Sequence, residues 1–95
     1  MTAYLLVDLD TFDRAGYAEY PTKVKPFIEK HGGKLTHRIS KFEAMEGDWA
    51  PDRLVIIEFP SRADARAFLE DPDYEPVKAI RRRTANTLIA MGESE

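Results

Sequence analysis

The sequence predicts an α+β fold in which a four-stranded antiparallel sheet carries its helices on one face. Three observations predict it. Four stretches are short and apolar in the manner of strands, and two longer ones repeat their apolar residues every three or four positions. Their order is strand, helix, strand, strand, helix, strand. Ninety-five residues accommodate a single domain, 1–95, with a core of modest size.

The first strand is "AYLLVDLD", residues 3–10, an apolar run closed by a turn signal. The period then changes. Tyr17, Tyr20, Val24, Phe27, Ile28 and His31 fall on one face of a helix, which Gly32-Gly33 should stop. Pro21 and Pro26 interrupt it. An interior proline costs about 3 kcal/mol, so a kinked helix is expected, or two pieces joined near Pro21. "KLTHRISKFEAME", residues 34–46, reads as a long second strand with a bulge near Ser40-Lys41. "GDWAPD" is a loop, and "RLVIIEFP", residues 53–60, is the third strand. Ser61 and Asp64 form a capping box for a helix that buries Ala65, Phe68 and Leu69. Asp71-Pro72 ends it. Residues 74–83 read as a shorter helix with Val77 and Ile80 inward, and "TANTLIAMG", residues 84–92, as the last strand. The compact solution for this βαββαβ order is a ferredoxin-like sandwich with right-handed crossovers.

Composition removes several classes of function. The chain has no cysteine, so disulfides, thiolate catalysis and cysteine-based metal sites are out. A net charge of −3 gives no electrostatic footprint for nucleic acid. No apolar run approaches the ~20 residues of a membrane span, and "MTAYLLVDLD" lacks a basic leader, so a cytoplasmic protein is expected. Two histidines among scattered acids give no metal-ligand spacing, and neither metal nor cofactor is expected.

Strand alternation then sorts side chains onto two faces. Leu5, Val7, Leu9, Val55, Ile57, Phe59, Ile89 and Met91 share the face that suits the helices. The other face receives Tyr4, Leu6, Asp8, Leu54, Ile56, Glu58, Asn86, Leu88 and Ala90. A wetted antiparallel face should be polar. This one has Leu6, Leu54, Ile56 and Leu88 at its centre, and each side chain left exposed forgoes roughly 1.5–3 kcal/mol. The sequence holds no third layer, so a second copy is the expected cover, in a two-fold homodimer.

The same residues resemble a known family. "AYLLVDLD", "GYAEY", "EKHGGK", "EGDWAPDRLVIIEFPS" and "RAFLEDPDYEPVKAIR" look like domain-of-unknown-function family 1330, in order and over nearly the whole chain. That family is placed in the dimeric α/β-barrel superfamily, beside cofactor-free antibiotic-biosynthesis monooxygenases and muconolactone-isomerase-like proteins. The resemblance implies a ferredoxin-like dimer and carries no catalytic residues with it. Family members have Arg-Gly-Gly after the second-strand core; here Arg38 matches the arginine and Ile39-Ser40 replaces the glycines.

These readings converge on a homodimer that holds a small apolar organic ligand between its facing sheets. The expected lining is Tyr4, Leu6, Leu54 and Ile56, with Glu58 as its polar stop and Arg38 as a partner for Glu58. Trp49, in a loop at one sheet end, either lids that space or wedges into the partner. Glu58 is either a satisfied interface carboxylate or a proton-transfer group at a pocket mouth. Asp8 shares its face but sits about 13 Å away at the other strand end, so the two are not an acid/base pair within one subunit. His37 is expected against a helix, His31 at a helix end where a cation suits the dipole, and Tyr17 and Tyr20 in the core or at its rim. Arg81-Arg82-Arg83 reads first as a solvated helix face and second as an anion site. Two alternatives stand: a non-catalytic dimerisation or sensing module, and a cofactor-free monooxygenase or isomerase.

Overall fold

The computed structural model describes residues 2–95. Strand β1 (Ala3–Thr11) leads through a short helix α1 (Arg14–Tyr17) into α2 (Tyr20–Lys30), then β2 (Lys34–Ser40) and β3 (Arg53–Phe59). Helices α3 (Arg62–Glu70) and α4 (Glu75–Thr84) follow, and β4 (Ala85–Glu93) closes the chain. The sheet is four-stranded in the order β2-β3-β1-β4, antiparallel at every pairing. This is the ferredoxin-like α+β sandwich.

Local chemistry explains each boundary. Asp13 caps α1 by accepting from the Gly16 N–H at 3.0 Å. A Cβ on Gly16 would stand 2.5 Å from that carboxylate and 2.9 Å from Thr84, so only glycine lets the turn close. The helical stretch does break before Pro21, which sits in the first turn of α2, where a missing N–H costs no bond. Pro26 lies inside α2 without ending it. Its ring and Thr22, whose carbonyl it leaves unbonded, are both exposed, and water can satisfy that carbonyl. Gly32, at φ 78°, terminates α2 in the left-handed conformation, and the Gly33 N–H donates to the Ile28 carbonyl at 2.8 Å. Ser61 caps α3, accepting from the Asp64 N–H and donating to its carboxylate.

The core lies between the sheet and the helices. Leu5, Val7, Leu9, Val55, Ile57 and Phe59 from the strands meet Val24, Ile28, Ala65, Phe68 and Ile80 from the helices. The Phe68 ring stacks on Tyr74 at 4.7 Å and lies 5.5 Å from Phe59.

The second strand departs from expectation. It ends at Ser40 instead of residue 46, because Lys41 turns to φ 62°, and 41–52 is one long connection. The bulge falls between Leu35 and His37, not at Ser40-Lys41. Thr36 is the inserted residue, and its hydroxyl donates to the Ile56 carbonyl at 3.3 Å. One extra residue reverses the alternation downstream. Leu35 pairs with Ile57 on the helix side; His37 and Ile39 then pair with Ile56 and Leu54 on the open side, and Arg38 with Val55 on the helix side. His37 is therefore not packed against a helix, and Arg38 does not share a face with Glu58.

Among the described residues, no helix is long and apolar enough to cross a membrane.

Candidate functional site

The open face carries most of the residues singled out above. Tyr4 pairs with Glu58, Leu6 with Ile56, and Asp8 with Leu54, which puts Asp8 and Glu58 at opposite strand ends. Tyr4, Leu6, Ile56 and Glu58 line one shallow groove together with Thr36 and His37. Glu58 has Tyr4 on one side and Lys34 on the other in register. Leu88 is 74% exposed on one edge strand, Leu6 36% near the centre and Ile39 36% on the other edge, so aliphatic side chains face outward across the sheet.

Trp49 and Leu54 belong to the other end of that face. Trp49 Nε1 donates to Asp8 Oδ2 at 3.2 Å, and its ring lies 6.5 Å from Phe42. The 41–52 connection thus folds back onto its own sheet. Leu54, opposite Asp8, is buried although it lies on the open side. Across β4, Asp8 pairs with Leu88 and Asn86 with Asp10, so the side chain that bonds Asp8 is Trp49.

A second site lies on the helix side, and the sequence reading did not anticipate it. A partly enclosed cavity there offers about 70 Å³ to water-molecule centres, room for several waters or one compact ligand body. Its walls are aliphatic: Leu5 and Val7 from β1, Val24 and Ile28 from α2, Val55 and Ile57 from β3. Set among them are Tyr17, Tyr20 and Tyr74, and the arginines Arg38, Arg53 and Arg81. The hydroxyls of Tyr20 and Tyr74 are hydrogen-bonded to each other, and the Tyr17 ring lies 5.3 Å from that of Tyr20.

The arginines make this an unusual interior. Arg81 is only 7% exposed, whereas its neighbours Arg82 and Arg83 are solvated as expected. Among the described residues no carboxylate comes within 4 Å of Arg38, Arg53 or Arg81. On the outer surface Arg82 reaches Glu75 at 2.9 Å and Arg62 reaches Glu93, while the exposed Arg14, Arg66 and Arg83 leave their charges to water. Burying a guanidinium without a counter-charge is costly, since its charge cannot be shed. Burial pushes the Tyr17 hydroxyl above its ordinary pKa, and the charges of Arg53, Arg38 and Arg81 pull it back. Tyr20 is raised further, by burial first and Tyr74 second, with Arg81 opposing.

The cavity has an outer mouth. Tyr17, Pro21 and Arg53 also wall a surface groove with Thr11, Arg14 and Asp52. Thr11 Oγ1 is buried there without a hydrogen-bond partner, as is Thr87 Oγ1 two strand positions away on β4's side of the sheet. The signal for this site was present in spacing: Val77, Ile80, Arg81 and Thr84 are three, four and seven apart, one helical face. That stripe carries Arg81 inward with Ile80.

Another buried cluster is structural. Asp71 accepts from Lys30 and from His31 Nε2, each at 2.8 Å, and from the Asp73 N–H at 2.9 Å. It ties the end of α2 to the end of α3. No group of three or more metal-capable side chains occurs among the described residues.

Solved structures share this fold. A protein of unknown function from Rhodopseudomonas palustris superposes at TM-score 0.80 with 20% identity, over 99% of this chain and 82% of that one. SnoaB, a cofactor-independent oxygenase from Streptomyces nogalater, does so at 0.71 with 11% identity, over 99% and 93%. A dimeric ferredoxin-like protein of unknown function from Jannaschia matches at 0.64 with 12% identity, over 99% and 100%. Identities this low speak for the fold alone. No curated protein matches the sequence. With strand order, crossovers and the "EGDWAPDRLVIIEFPS" segment all in place, and a family model matching residues 2–93, the chain belongs to the domain-of-unknown-function family DUF1330.

Proposed function

We propose that this protein is a homodimer that binds a small organic molecule in the cavity between its sheet and its helices. The observation that carries the ligand site is the cavity itself, apolar over most of its wall with a few polar groups converging on it. The outward side chains of Leu6, Ile39 and Leu88 support the dimer, because exposed aliphatics across one face of so small a domain mark a contact surface. The Jannaschia protein of the same fold is dimeric. A two-fold pairing of open faces would enclose the groove of Tyr4, Leu6, Ile56 and Glu58 and bring each Trp49 lid near the partner.

Native mass spectrometry of the protein as purified tests the dimer. The expected spectrum is a two-copy species, with or without a retained small molecule. A single-copy species at micromolar concentration would overturn the dimer.

Two further readings have support. The groove of Tyr4, Leu6, Ile56 and Glu58 is a second ligand candidate, one completed only by the partner chain. Leu6→Trp should fill it and leave binding in the helix-side cavity unchanged. A catalytic version of the helix-side cavity, in which a ligand ionises beside the guanidinia without any cofactor, is the other reading; SnoaB, of the same fold, is a cofactor-independent oxygenase. Dissolved-oxygen uptake upon addition of a bound ligand separates an oxygenase from a binder or sensor.

A further inference from the structure

The ligand cavity has a chemical preference written in its charges, and the inference rests on the reading of that cavity as the binding site. Three guanidinia border it and no carboxylate answers them within 4 Å among the described residues. They differ in exposure. Arg38 is exposed on the edge strand, Arg53 is half-buried at the mouth, and Arg81 is almost wholly buried. Water can screen the first two; Arg81 meets the neutral Tyr20 hydroxyl, so one buried charge is left without a counter-charge. The Tyr17 side chain stands in the same wall, the Tyr20 hydroxyl is taken up by Tyr74 and Arg81, and most of the remaining surface is aliphatic.

We infer that the occupant is a compact organic monocarboxylate, its charged end set toward Arg81 with Arg53 and Arg38 at the entrance and its apolar body against Val7, Val24 and Ile57. A guanidinium fork matches a carboxylate's two oxygens in one plane. Inorganic phosphate fits less well: it is strongly hydrated, carries more charge than Arg81 alone offsets, and gains nothing from aliphatic walls.

The test is calorimetric titration of the full chain with benzoate, benzamide and inorganic phosphate, each to millimolar concentration. Benzoate is expected to bind saturably, and benzamide, of the same shape without the charge, at least about tenfold more weakly. Arg81→Gln should erase that preference, bringing benzoate down to no tighter than benzamide. Where Arg81→Gln fails to fold, Arg38→Gln carries the test, since its side chain is exposed: benzoate affinity should fall severalfold and lose part of its salt dependence. Equal affinity for benzoate and benzamide overturns the anion preference while the cavity remains a binding site. Phosphate competing on equal terms with benzoate overturns the organic class. Binding of neither aromatic probe overturns the cavity reading together with this inference.

Discussion

The two faces of the sheet are made from neighbouring residues of the same strands, yet they are finished in opposite ways. On the helix side Leu5, Val7, Ile57 and Phe59 are sealed by Val24, Ile28, Phe68 and Ile80, all within one chain. On the open side Leu6 and Leu88 have nothing from their own chain over them, and Trp49 covers only the Asp8 end. The sealed side, closed by its own helices except at the cavity, is also the side that admits a buried arginine. The open side keeps its charged groups, Glu58 and Asp8, at the two strand ends and its aliphatics between them. Cover decides what a face can hold: a closed compartment can shelter a charge beside a cavity, whereas an open aliphatic face gains most from a flat neighbour.

The largest effect should come from the sealed side. Phe68→Ala removes a ring packed on Phe59 and Tyr74 and is expected to cost about 3–5 kcal/mol in urea unfolding. Leu88→Ala, on the open side, should leave the unfolding of an isolated subunit nearly unchanged. A similar cost for both would erase the distinction between the faces. Next in size is Leu6→Glu, which places a carboxylate among the outward aliphatics and should weaken self-association by at least about 2 kcal/mol, read by sedimentation, with the circular dichroism spectrum of the fold retained.

Smaller is the contribution of Asp71. Its hydrogen bonds from Lys30, His31 and the Asp73 N–H hold its carboxyl well below the usual carboxylate range. A folded pKa below the unfolded one means that the stabilisation is complete above about pH 4 and is lost as pH falls through the folded value. Asp71→Asn should therefore flatten the acid limb of the stability profile, and the far-alkaline limb as well, because the Asp71 hydrogen bond that raises the Lys30 pKa, and that is lost when Lys30 gives up its proton, is gone. The smallest effect belongs to Trp49→Phe, which gives up one exposed hydrogen bond to Asp8 and should cost less than about 1 kcal/mol. Intrinsic fluorescence, which comes mostly from this lone Trp, should shift to the blue if a partner sheet closes over it.

The fold was legible because its signals are local. Ser61 and Asp64 announce a helix start, Gly32 a helix stop, and Pro21 a break, and each acts through a few adjacent backbone groups. The open face was legible from alternation on β1, β3 and β4, where no residue is inserted. What escaped notice depends on three-dimensional accounting. Ser40-Lys41 looked the more irregular pair, but the inserted residue is Thr36, an ordinary strand former, and with it went the placing of His37 and Arg38. Arg81 was hidden by its company: between Ile80 and two solvated arginines, its burial follows only from counting helical turns.

The inserted Thr36 has a consequence for how such a chain can change. Losing that one residue would leave a regular ladder, with Leu35 against Ile57 and His37 against Ile56, so that Arg38 would still face the helices and His37 and Ile39 the open side. The rest of the sheet, pinned through β1, would not need to move. A single-codon deletion there would thus be absorbed without readdressing a side chain, whereas flattening the bulge with Thr36 kept would slide the edge strand by one residue and turn Arg38 outward.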